Sequence, residues 1–448
     1  MAKKSTSGLT AQLKEKLIQK ALERKLRHAE QVGLDNIKRK PGEATRILEE
    51  FYKFQLHPGY QQLLILNDGA KRLGISNPYF KLHQGLAGAT TQIGDREFIN
   101  FASYNYLGLN GHPDVNEAAK AAIDCYGTSV SASRTVSGER PIHRELEKSI
   151  ANAYGVDSAV AFVSGHAANV TSIGYLFGTN DLILHDELIH NSILQGSLLS
   201  GARRLSFPHN DLDRLDSILT EQRHQFERVL IVVEGIYSMD GDYPDLPRLI
   251  KIKNRHKTFL MVDEAHSFGV MGSTGMGIRE HFGVDGKEVD IWMGTMSKAL
   301  ASCGGYIAGE HALVDHLKFL APGFLYSVGM APPLAAASLA ALKCMQQEPE
   351  RVTTLQERGK LFLELAKSAS IDTGASMGLA VIPALTGSSL NAARLSVALY
   401  EQGINVQPIV YPAVPEKAAR LRFFISCQHT ESQIETTIEV LAKEINRL

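Results

Sequence analysis

The chain has 448 residues, of which 44% are hydrophobic and 21% are charged, and its formal net charge is −1. This composition allows a large buried core spread over two or three lobes, and the balanced charge excludes a generally basic nucleic-acid-binding protein. The four cysteines are too few for a disulfide scaffold and too widely spaced for a zinc pattern. We therefore predict no metal site and a cytoplasmic location.

The first 40 residues are basic, with eleven lysines or arginines against four acidic residues. Apolar residues at helical spacing predict an amphipathic helix over residues 8–32. Such a helix could bind an acidic carrier protein or a membrane surface, although packing on its own domain or on a partner subunit is the more ordinary interpretation. No apolar stretch of signal-peptide length is present here. The most apolar region, residues 324–342, is interrupted by two prolines and makes a poor membrane span.

Short apolar runs alternate with segments of helical spacing through the middle of the chain. They begin near residues 159, 182, 203, 229, 258, 290 and 305. This alternation is typical of an α/β fold, with a mainly parallel sheet covered by helices on both faces. We predict a helical extension at 1–92, whose second helical pattern is interrupted by Pro58, a large domain at 93–335 and a smaller α+β domain at 336–448.

Two residues that follow apolar runs in the large domain suit a pyridoxal phosphate (PLP) site. Asp263 ends one run, and Lys298 follows another in a loop of small residues between Gly294 and Gly304. A desolvated lysine amine has a lowered pKa and becomes nucleophilic, which suits imine formation. A carboxylate at a strand end can keep a pyridine nitrogen protonated. Taken singly, Lys298 would be a solvated loop lysine and Asp263 a turn former or helix cap.

The sequence around these two residues resembles the α-oxoamine synthase family of fold-type I PLP enzymes. The matching segments are DEAHSFGVMGSTGMG at 263–277 and GTMSKALASCGGYIAG at 294–309. The resemblance implies an aspartate-aminotransferase-like fold and an enzyme that joins an amino acid to an acyl thioester with loss of carbon dioxide. It also implies that Lys298 binds PLP covalently, that Asp263 partners the ring nitrogen, and that His266 tunes the phenolic oxygen.

The same resemblance implies further cofactor contacts. It places His190 against the pyridine ring, where a flat imidazole can stack. Gly165 and His166 open a helix whose free N–H groups could bind the phosphate, although relatives often carry an aromatic residue at position 166. Ser238 and Thr295 are further contacts. A lone histidine is usually structural and the segment at Ser238 could be only a tight turn, so these roles depend on the match.

Asn105 and Arg422 are the residues that the resemblance places beside the amino acid substrate. Asn105 belongs to an SYNYLGL motif, where an asparagine could instead simply cap the turn. Arg422 lies in an RLR pattern and could hold the substrate carboxylate with two hydrogen bonds. Arg420 of the same pattern is the alternative.

The segment APGFLYSVGMAPP at 321–333 resembles one that lends a hydroxyl to the phosphate of the neighbouring subunit. Relatives commonly have a threonine where this chain has Val328, so Ser327 or backbone N–H groups would have to replace that contact. A segment that crosses between subunits would require a homodimer.

The sequence leaves the substrates open. We expect an amino acid and an acyl group carried by CoA or by an acyl carrier protein, with no nucleic acid partner and no transmembrane segment. The DEAHSFG motif is closer to that of serine palmitoyltransferase-like members than to the biotin-pathway pattern. Long-chain base synthesis, a secondary-metabolite step and 8-amino-7-oxononanoate synthesis are the candidate reactions. An aminotransferase and a non-catalytic scaffold subunit are the alternatives on the same fold.

Overall fold

The computed structural model describes residues 47–448, so the helix predicted over residues 8–32 lies outside the described residues. The described chain divides after Phe80 into two compact units. The first unit contains two 3-10 turns, Glu49–Phe51 and Phe54–Leu56, and helix α1, Pro58–Arg72. Proline suits the first helical position because the N–H it lacks would have no partner there. Pro58, which was predicted to interrupt the helical pattern, therefore begins helix α1.

The second unit, Lys81–Leu448, is built on a seven-stranded sheet. Its strands are β4 Ser158–Phe162, β5 Leu182–Asp186, β6 Arg203–Phe207, β7 Val229–Glu234, β8 Phe259–Asp263, β9 Ile291–Thr295 and β10 Gly305–Gly309. They lie in the order β4-β10-β9-β8-β7-β5-β6. Only β10 runs antiparallel to its neighbours within this sheet. The predicted mainly parallel sheet is confirmed.

Two smaller sheets complete the second unit. The first consists of β1 His83–Gln84, β2 Thr90–Ile93, β3 Arg96–Asn100 and β12 Ile404–Asn405, and the second of β11 Val381–Leu385, β13 Gln407–Ile409 and β14 Arg420–Phe424. The second sheet is antiparallel, with β14 in the centre. The parallel pair of β3 with β12 joins early and late parts of the unit. The domain limits at residues 92 and 335 stay predictions.

Helices separate most of these strands. They are α2 Pro113–Tyr126, α3 Pro141–Tyr154, α4 Gly165–Leu176, α5 Asn191–Ser200, α6 Leu212–Gln222, α7 Leu246–His256, α8 Gly277–Phe282, α9 His311–Leu320, α10 Pro322–Leu325, α11 Pro332–Gln347, α12 Glu350–Ser368, α13 Ser389–Glu401 and α14 Glu431–Ile445. Within residues 47–448, none of the helices combines the length and the apolar character needed to cross a bilayer.

Side chains alternate between the two faces of the large sheet, so its strands contribute to two hydrophobic cores. On β8, Met261 belongs to one core and Val262 to the other. On β7, Val232 lies in the same core as Met261, while Val233 lies with Val262. Because successive strand residues point to opposite faces, Asp263 at the end of β8 points to the same face as Met261. The core pattern thus decides the face on which each strand-end residue is presented.

Candidate active site

The predicted site residues of the large sheet lie where its strands end. Asp263 is the last residue of β8, and Thr295 is the last residue of β9. Glu234, the last residue of β7, pairs in register with Asp263. The carboxyl ends of neighbouring parallel strands meet at one edge of a sheet, and ligand sites of open α/β sheets form there. Lys298 lies in the loop that follows β9, next to the same edge.

Asp263 is oriented by two hydrogen bonds and is only 4% exposed. Its Oδ2 accepts a bond of 2.9 Å from Nδ2 of Asn169, and its Oδ1 accepts one of 2.9 Å from the backbone N–H of Ala265. Asn169 lies on α4, and its Nδ2 also donates to the hydroxyl of Ser192 at 2.9 Å. Both N–H groups of the amide are therefore in use, which fixes the carboxylate in one orientation.

His190 is joined to this network through Ser192. It caps helix α5, since its Nδ1 accepts the N–H of Ser192 at 3.2 Å and lies 2.7 Å from the Ser192 hydroxyl. A neutral ring whose Nδ1 accepts carries its proton on Nε2. Burial lowers the pKa of His190; the Asp263 carboxylate raises it and the Lys298 ammonium lowers it, with a net decrease. The chain His190, Ser192, Asn169, Asp263 thus connects a neutral imidazole to the strand-end carboxylate.

The amine of Lys298 has a lowered pKa. Burial lowers its pKa to about 8, although the carboxylates of Asp263 and Glu234 oppose the decrease, and Arg422 adds to it. About a tenth of the amine is then unprotonated at about pH 7, far more than for an exposed lysine. The Nζ atom lies 5.6 Å from the ring centroid of Tyr104. The arrangement supplies an amine that can attack a carbonyl carbon.

The beginning of α4 has two features that suit an anion, unpaired backbone N–H groups and a close approach of β10. The Ser164 hydroxyl caps the helix by accepting the N–H of Ala167 at 3.0 Å. The N–H groups of Gly165 and His166 have no hydrogen-bond partner among the described residues. A Cβ at Gly305 on β10 would lie 2.5 Å from Cα of Gly165, so only glycine lets this strand approach the helix so closely. Unpaired N–H groups at the positive end of a helix dipole suit a phosphate.

Thr295 and Ser238 border the same region. A Cβ at Gly165 would lie 3.1 Å from Cβ of Thr295, which places the threonine against the start of α4. The Thr295 hydroxyl donates to the carbonyl of Gly304 at 3.0 Å. Ser238 is buried, and its backbone N–H donates to Oε2 of Glu234 at 3.0 Å. Cofactor contacts by these two residues stay predictions.

His266 is held as a neutral ring. Its Nδ1 lies 2.8 Å from the hydroxyl of Tyr106, and the ring stacks on Phe424 with centroids 6.1 Å apart. Burial lowers the pKa of His266 well below its ordinary value, and the positive charge of Lys298 adds to the decrease. Burial raises the pKa of Tyr106, so its hydroxyl stays protonated and can donate to Nδ1. The proton of the imidazole is then on Nε2, where it can be donated to a ligand oxygen.

Arg422 and Arg420 differ in how much of their hydrogen-bonding capacity is used. Arg420 donates to Asp240 at 2.6 Å, to the carbonyl of Met239 at 2.9 Å and to that of Ala418 at 2.8 Å. Arg422 donates from Nη1 to the carbonyl of Ser238 at 3.0 Å, and its buried Nε has no partner. Burial lowers the pKa of Arg422. Of the two arginines, Arg422 is the one whose Nε is buried without a partner, which leaves that donor for a substrate carboxylate.

Asn105 caps the turn that contains it. Its Nδ2 donates to the carbonyl of Ala87 at 2.9 Å, and its Oδ1 accepts the N–H of Asn110 at 3.1 Å. The side chain nearer to Lys298 is Tyr104, whose ring packs edge-on against Phe424 at 4.8 Å. A substrate contact by Asn105 stays a prediction. So does the replacement of the family threonine near residue 328, since Val328 is 51% exposed and Ser327 donates to its carbonyl at 3.2 Å.

Sequence reasoning missed three residues of this site: Glu234, Asn169 and Ser192. Glu234 is fully buried beside Asp263; burial, together with the charge of that carboxylate, raises its pKa well above the ordinary value. Its signal was an acid at the end of an apolar run, as for Asp263. Asn169 and Ser192 stand in the first turns of helices, where polar residues are ordinary, and carried no distinguishing signal.

These residues fit PLP. The site offers an amine of lowered pKa, an oriented carboxylate, two unpaired N–H groups at a helix start and a buried Oδ1 of Asn169 that has no partner. Lys298 would hold the cofactor, Asp263 its ring nitrogen, and Gly165 and His166 its phosphate. When bound, PLP supplies an electron sink for a carbanion at Cα of an amino acid.

Fold and site together define the class as a fold-type I PLP-dependent transferase. Residues 96–441 match the family model described as aminotransferase class I and II. The 8-amino-7-oxononanoate synthase of Symbiobacterium thermophilum is 38% identical over 376 residues, covering 84% of this chain and 95% of the relative.

Two solved structures extend the comparison. A serine palmitoyltransferase with its PLP internal aldimine shares 25% identity and a TM-score of 0.83, covering 88% of this chain and 99% of the other. The 8-amino-7-oxononanoate synthase of Francisella tularensis shares 27% identity and a TM-score of 0.69, covering 78% and 98%. The chain belongs to the α-oxoamine synthase family. It is a PLP-dependent acyltransferase that condenses an amino acid with an acyl thioester and releases carbon dioxide.

Proposed function

We propose that the chain carries out a reaction of the serine palmitoyltransferase type, in which a small L-amino acid receives a long acyl group. A carbon–carbon bond forms between Cα and the acyl carbon, the thioester C–S bond breaks, and the carboxylate leaves as carbon dioxide. The products are an α-aminoketone and a free thiol. The structural match to serine palmitoyltransferase supports this type, with a TM-score of 0.83 over 88% of the chain.

The observation that carries the proposal is the combination of Lys298 with Arg422. The lysine amine has a lowered pKa, and the arginine contributes to that decrease, so the two side chains act on the same region. One amino acid can then present its amine to Lys298 and its carboxylate to the unpaired Nε of Arg422. A planar guanidinium holds a carboxylate through two parallel hydrogen bonds.

The remaining residues act on protons and on orientation. The unprotonated amine of Lys298 would serve as the base that removes the proton from Cα. Asp263 would hold the ring nitrogen of the cofactor, and Asn169 keeps Asp263 in position. His190 offers a flat neutral ring for stacking, while His266 can donate from Nε2 to the phenolic oxygen. These are the roles that the geometry supports for the predicted catalytic residues.

The second candidate is 8-amino-7-oxononanoate synthesis, which the 38% identity to the Symbiobacterium enzyme favours. The nine-carbon product requires two carbons that alanine keeps after losing carbon dioxide and seven from a dicarboxylic acyl group. The two candidates therefore differ in both the amino acid and the far end of the acyl chain. The choice between CoA and an acyl carrier protein as donor belongs to the same test.

A mass-resolved assay separates these candidates. The purified chain is incubated with L-alanine, L-serine or glycine, each paired with palmitoyl or with seven-carbon dicarboxylic acyl thioesters on CoA and on carrier protein. We expect a long-chain α-aminoketone, with carbon dioxide released in equal amount. Production of the nine-carbon amino-oxo acid instead would establish the second candidate. A keto acid formed without carbon dioxide would identify an aminotransferase and overturn the proposal.

We also propose a cytoplasmic homodimer. The segment that resembles an intersubunit one contains Val328, which is 51% exposed although it is apolar. A partner subunit would cover such a side chain. Light scattering coupled to gel filtration should give twice the chain mass of 49.0 kDa, whereas a monomer with full activity would contradict the dimer. Cell fractionation tests the location.

A further inference from the structure

His209 joins two carboxylates that belong to different parts of the sheet edge. It follows β6 in the chain, and its Nδ1 lies 2.9 Å from Oδ1 of Asp186, the last residue of β5. Its Nε2 lies 2.8 Å from Oδ2 of Asp242, in the turn after β7. A carboxylate only accepts hydrogen bonds, so both ring nitrogens must donate. The ring is therefore an imidazolium held between two buried acids.

The surroundings of the ring favour this charge. Burial lowers the pKa of His209, but the hydrogen bonds and charges of Asp186 and Asp242 outweigh it and raise the pKa to about 10. The amide of Asn210 donates to Asp242 at 2.9 Å, and the ring centroid of Tyr237 is 4.5 Å from that of His209. Asp186 also accepts two backbone N–H groups, at 2.8 and 2.9 Å, and the Glu187 carboxylate accepts the backbone N–H of His209 at 3.0 Å. None of these groups carries a positive charge.

The clamp formed by His209, Asp186 and Asp242 reaches Arg422 through one turn. Asp242 closes the turn of residues 238–242, since its carbonyl accepts the N–H of Tyr237 at 2.9 Å. At the other end of that turn, the carbonyl of Ser238 accepts Nη1 of Arg422 at 3.0 Å. Among the described oxygen acceptors, this carbonyl is the one that holds the guanidinium. The position of the turn therefore decides where the free donors of Arg422 point.

We propose that His209 is a positioning residue for recognition of the amino acid carboxylate, acting through the turn of residues 238–242 and Arg422. The inference rests on the proposed function, because it requires Arg422 to bind that carboxylate. Loss of the imidazolium leaves Asp186 and Asp242 facing each other without the cation that joins them. The turn then shifts, and Arg422 loses its orientation while Lys298, Asp263 and the beginning of α4 stay in place.

The test compares ligands with and without a carboxylate. His209→Gln is prepared as the full chain loaded with PLP, and the absorbance of the cofactor is titrated with L-serine, L-alanine, ethanolamine and ethylamine. We expect about tenfold weaker binding of the two amino acids and less than about twofold change for the two amines, because only the amino acids use Arg422. A purely structural role would weaken all four ligands alike, and that result would overturn the proposal.

His256→Gln is the matched control. His256 also pairs with a carboxylate, since its Nε2 lies 2.7 Å from Oδ1 of Asp216. Asp216 lies on α6 and His256 on α7, and neither residue bonds to the turn of residues 238–242. It should leave the preference for amino acids over amines unchanged. In an Arg422→Lys background, His209→Gln should add no further loss of preference. Additive losses would show that His209 does not act through Arg422.

Two further outcomes are decisive. If His209→Gln does not fold, Asp242→Asn breaks the same bridge from the other side, and an unchanged preference in that variant would overturn the proposal. If the unaltered chain holds PLP but its absorbance responds to none of the four ligands, the proposed function itself fails, and the positioning role fails with it. A response to amines and amino acids alike would leave the cofactor site standing and refute carboxylate recognition by Arg422.

Discussion

Asp263, which fits the ring nitrogen of the cofactor, and Arg422, which fits the substrate carboxylate, differ in how much of their hydrogen-bonding capacity is already used. At the end of β8, Asp263 accepts two hydrogen bonds, and Asn169 behind it uses both of its N–H groups. On β14, Arg422 makes one hydrogen bond to a backbone oxygen and keeps a buried Nε without a partner. An unpaired buried donor is costly, and a ligand carboxylate that pairs with Nε of Arg422 would remove that cost.

This difference separates a permanent ligand from a transient one. A carboxylate that faces the cofactor ring through every turnover gains from being fixed in advance, since no hydrogen bond must be broken when the next substrate enters. Groups that bind and release an amino acid need spare donors. Glu234 lies between the two parts and is buried in register with Asp263. The predictions below test this division of the site, beginning with the largest expected effect.

Removal of the amine should abolish the reaction. Lys298→Ala is expected to lower turnover by more than about 10³-fold, because the variant loses both the covalent attachment of PLP and the base for the Cα proton. Borohydride reduction of the parent chain followed by peptide mapping should find PLP on residue 298. Attachment to a different lysine would place the site elsewhere.

Neutralising the strand-end carboxylate should separate binding from turnover. Asp263→Asn should still bind PLP but turn over about 10² to 10³ times more slowly, since an amide cannot keep the pyridine nitrogen protonated. Steady-state rates and the absorbance of the bound cofactor measure the two effects. Asp290→Asn is the control, because Asp290 bonds to the other end of β8, through the N–H of Leu260 at 2.8 Å. Equal losses in both variants would contradict a special role for Asp263.

The uptake of PLP by the apoprotein should depend on pH through Lys298. Its pKa in the folded chain is about 8, below the ordinary lysine value, and only the unprotonated amine attacks the aldehyde. The uptake rate should rise about tenfold per pH unit as pH increases toward about 8, and then level off. Since Asp263 raises this pKa, Asp263→Asn should move the plateau to lower pH. Stopped-flow absorbance measures the profile; a plateau near the ordinary lysine value would disprove the burial effect.

The two arginines of β14 should respond differently to the same substitution. Arg422→Lys is expected to raise the KM for the amino acid about tenfold, because an ammonium cannot form the two parallel bonds. Arg420→Lys should change KM little and should instead lower the midpoint temperature of unfolding. The reason is that Nε and Nη1 of Arg420 donate to Asp240 and to two backbone carbonyls. Kinetics and thermal unfolding of both variants decide; a larger KM effect at Arg420 would exchange their roles.

Much of the fold followed from the sequence, because the apolar runs fixed the strands and the alternation with helices indicated a parallel sheet. The antiparallel direction of β10 could not be read in this way, since Gly305–Gly309 has the same short apolar pattern as its neighbours. The interruption predicted at Pro58 corresponds to the beginning of α1, although a proline inside a helical pattern can mark either a break or a start.

For the site, the reacting residues were easier to predict than their supports. Lys298 and Asp263 stand next to apolar runs, where a charged residue is conspicuous. Asn169 and Ser192 have their effect only after α4 and α5 pack beside β8, and nothing in their local sequence marks that contact. The orientation of Arg422 depends on a carbonyl 184 residues away in the chain, which a local pattern cannot contain.

The alternation of side chains along β8 also limits how the gene can change in length. Deleting or inserting one residue within Phe259–Asp263 would exchange the faces of Val262 and Asp263, turning the carboxylate into the opposite hydrophobic core and an apolar side chain toward Asn169. Loops at the opposite edge of the sheet carry no such constraint. Insertions and deletions in working variants of this chain should therefore accumulate in the loops that precede the strands. They should be absent from the last residues of the strands, which lead to the site.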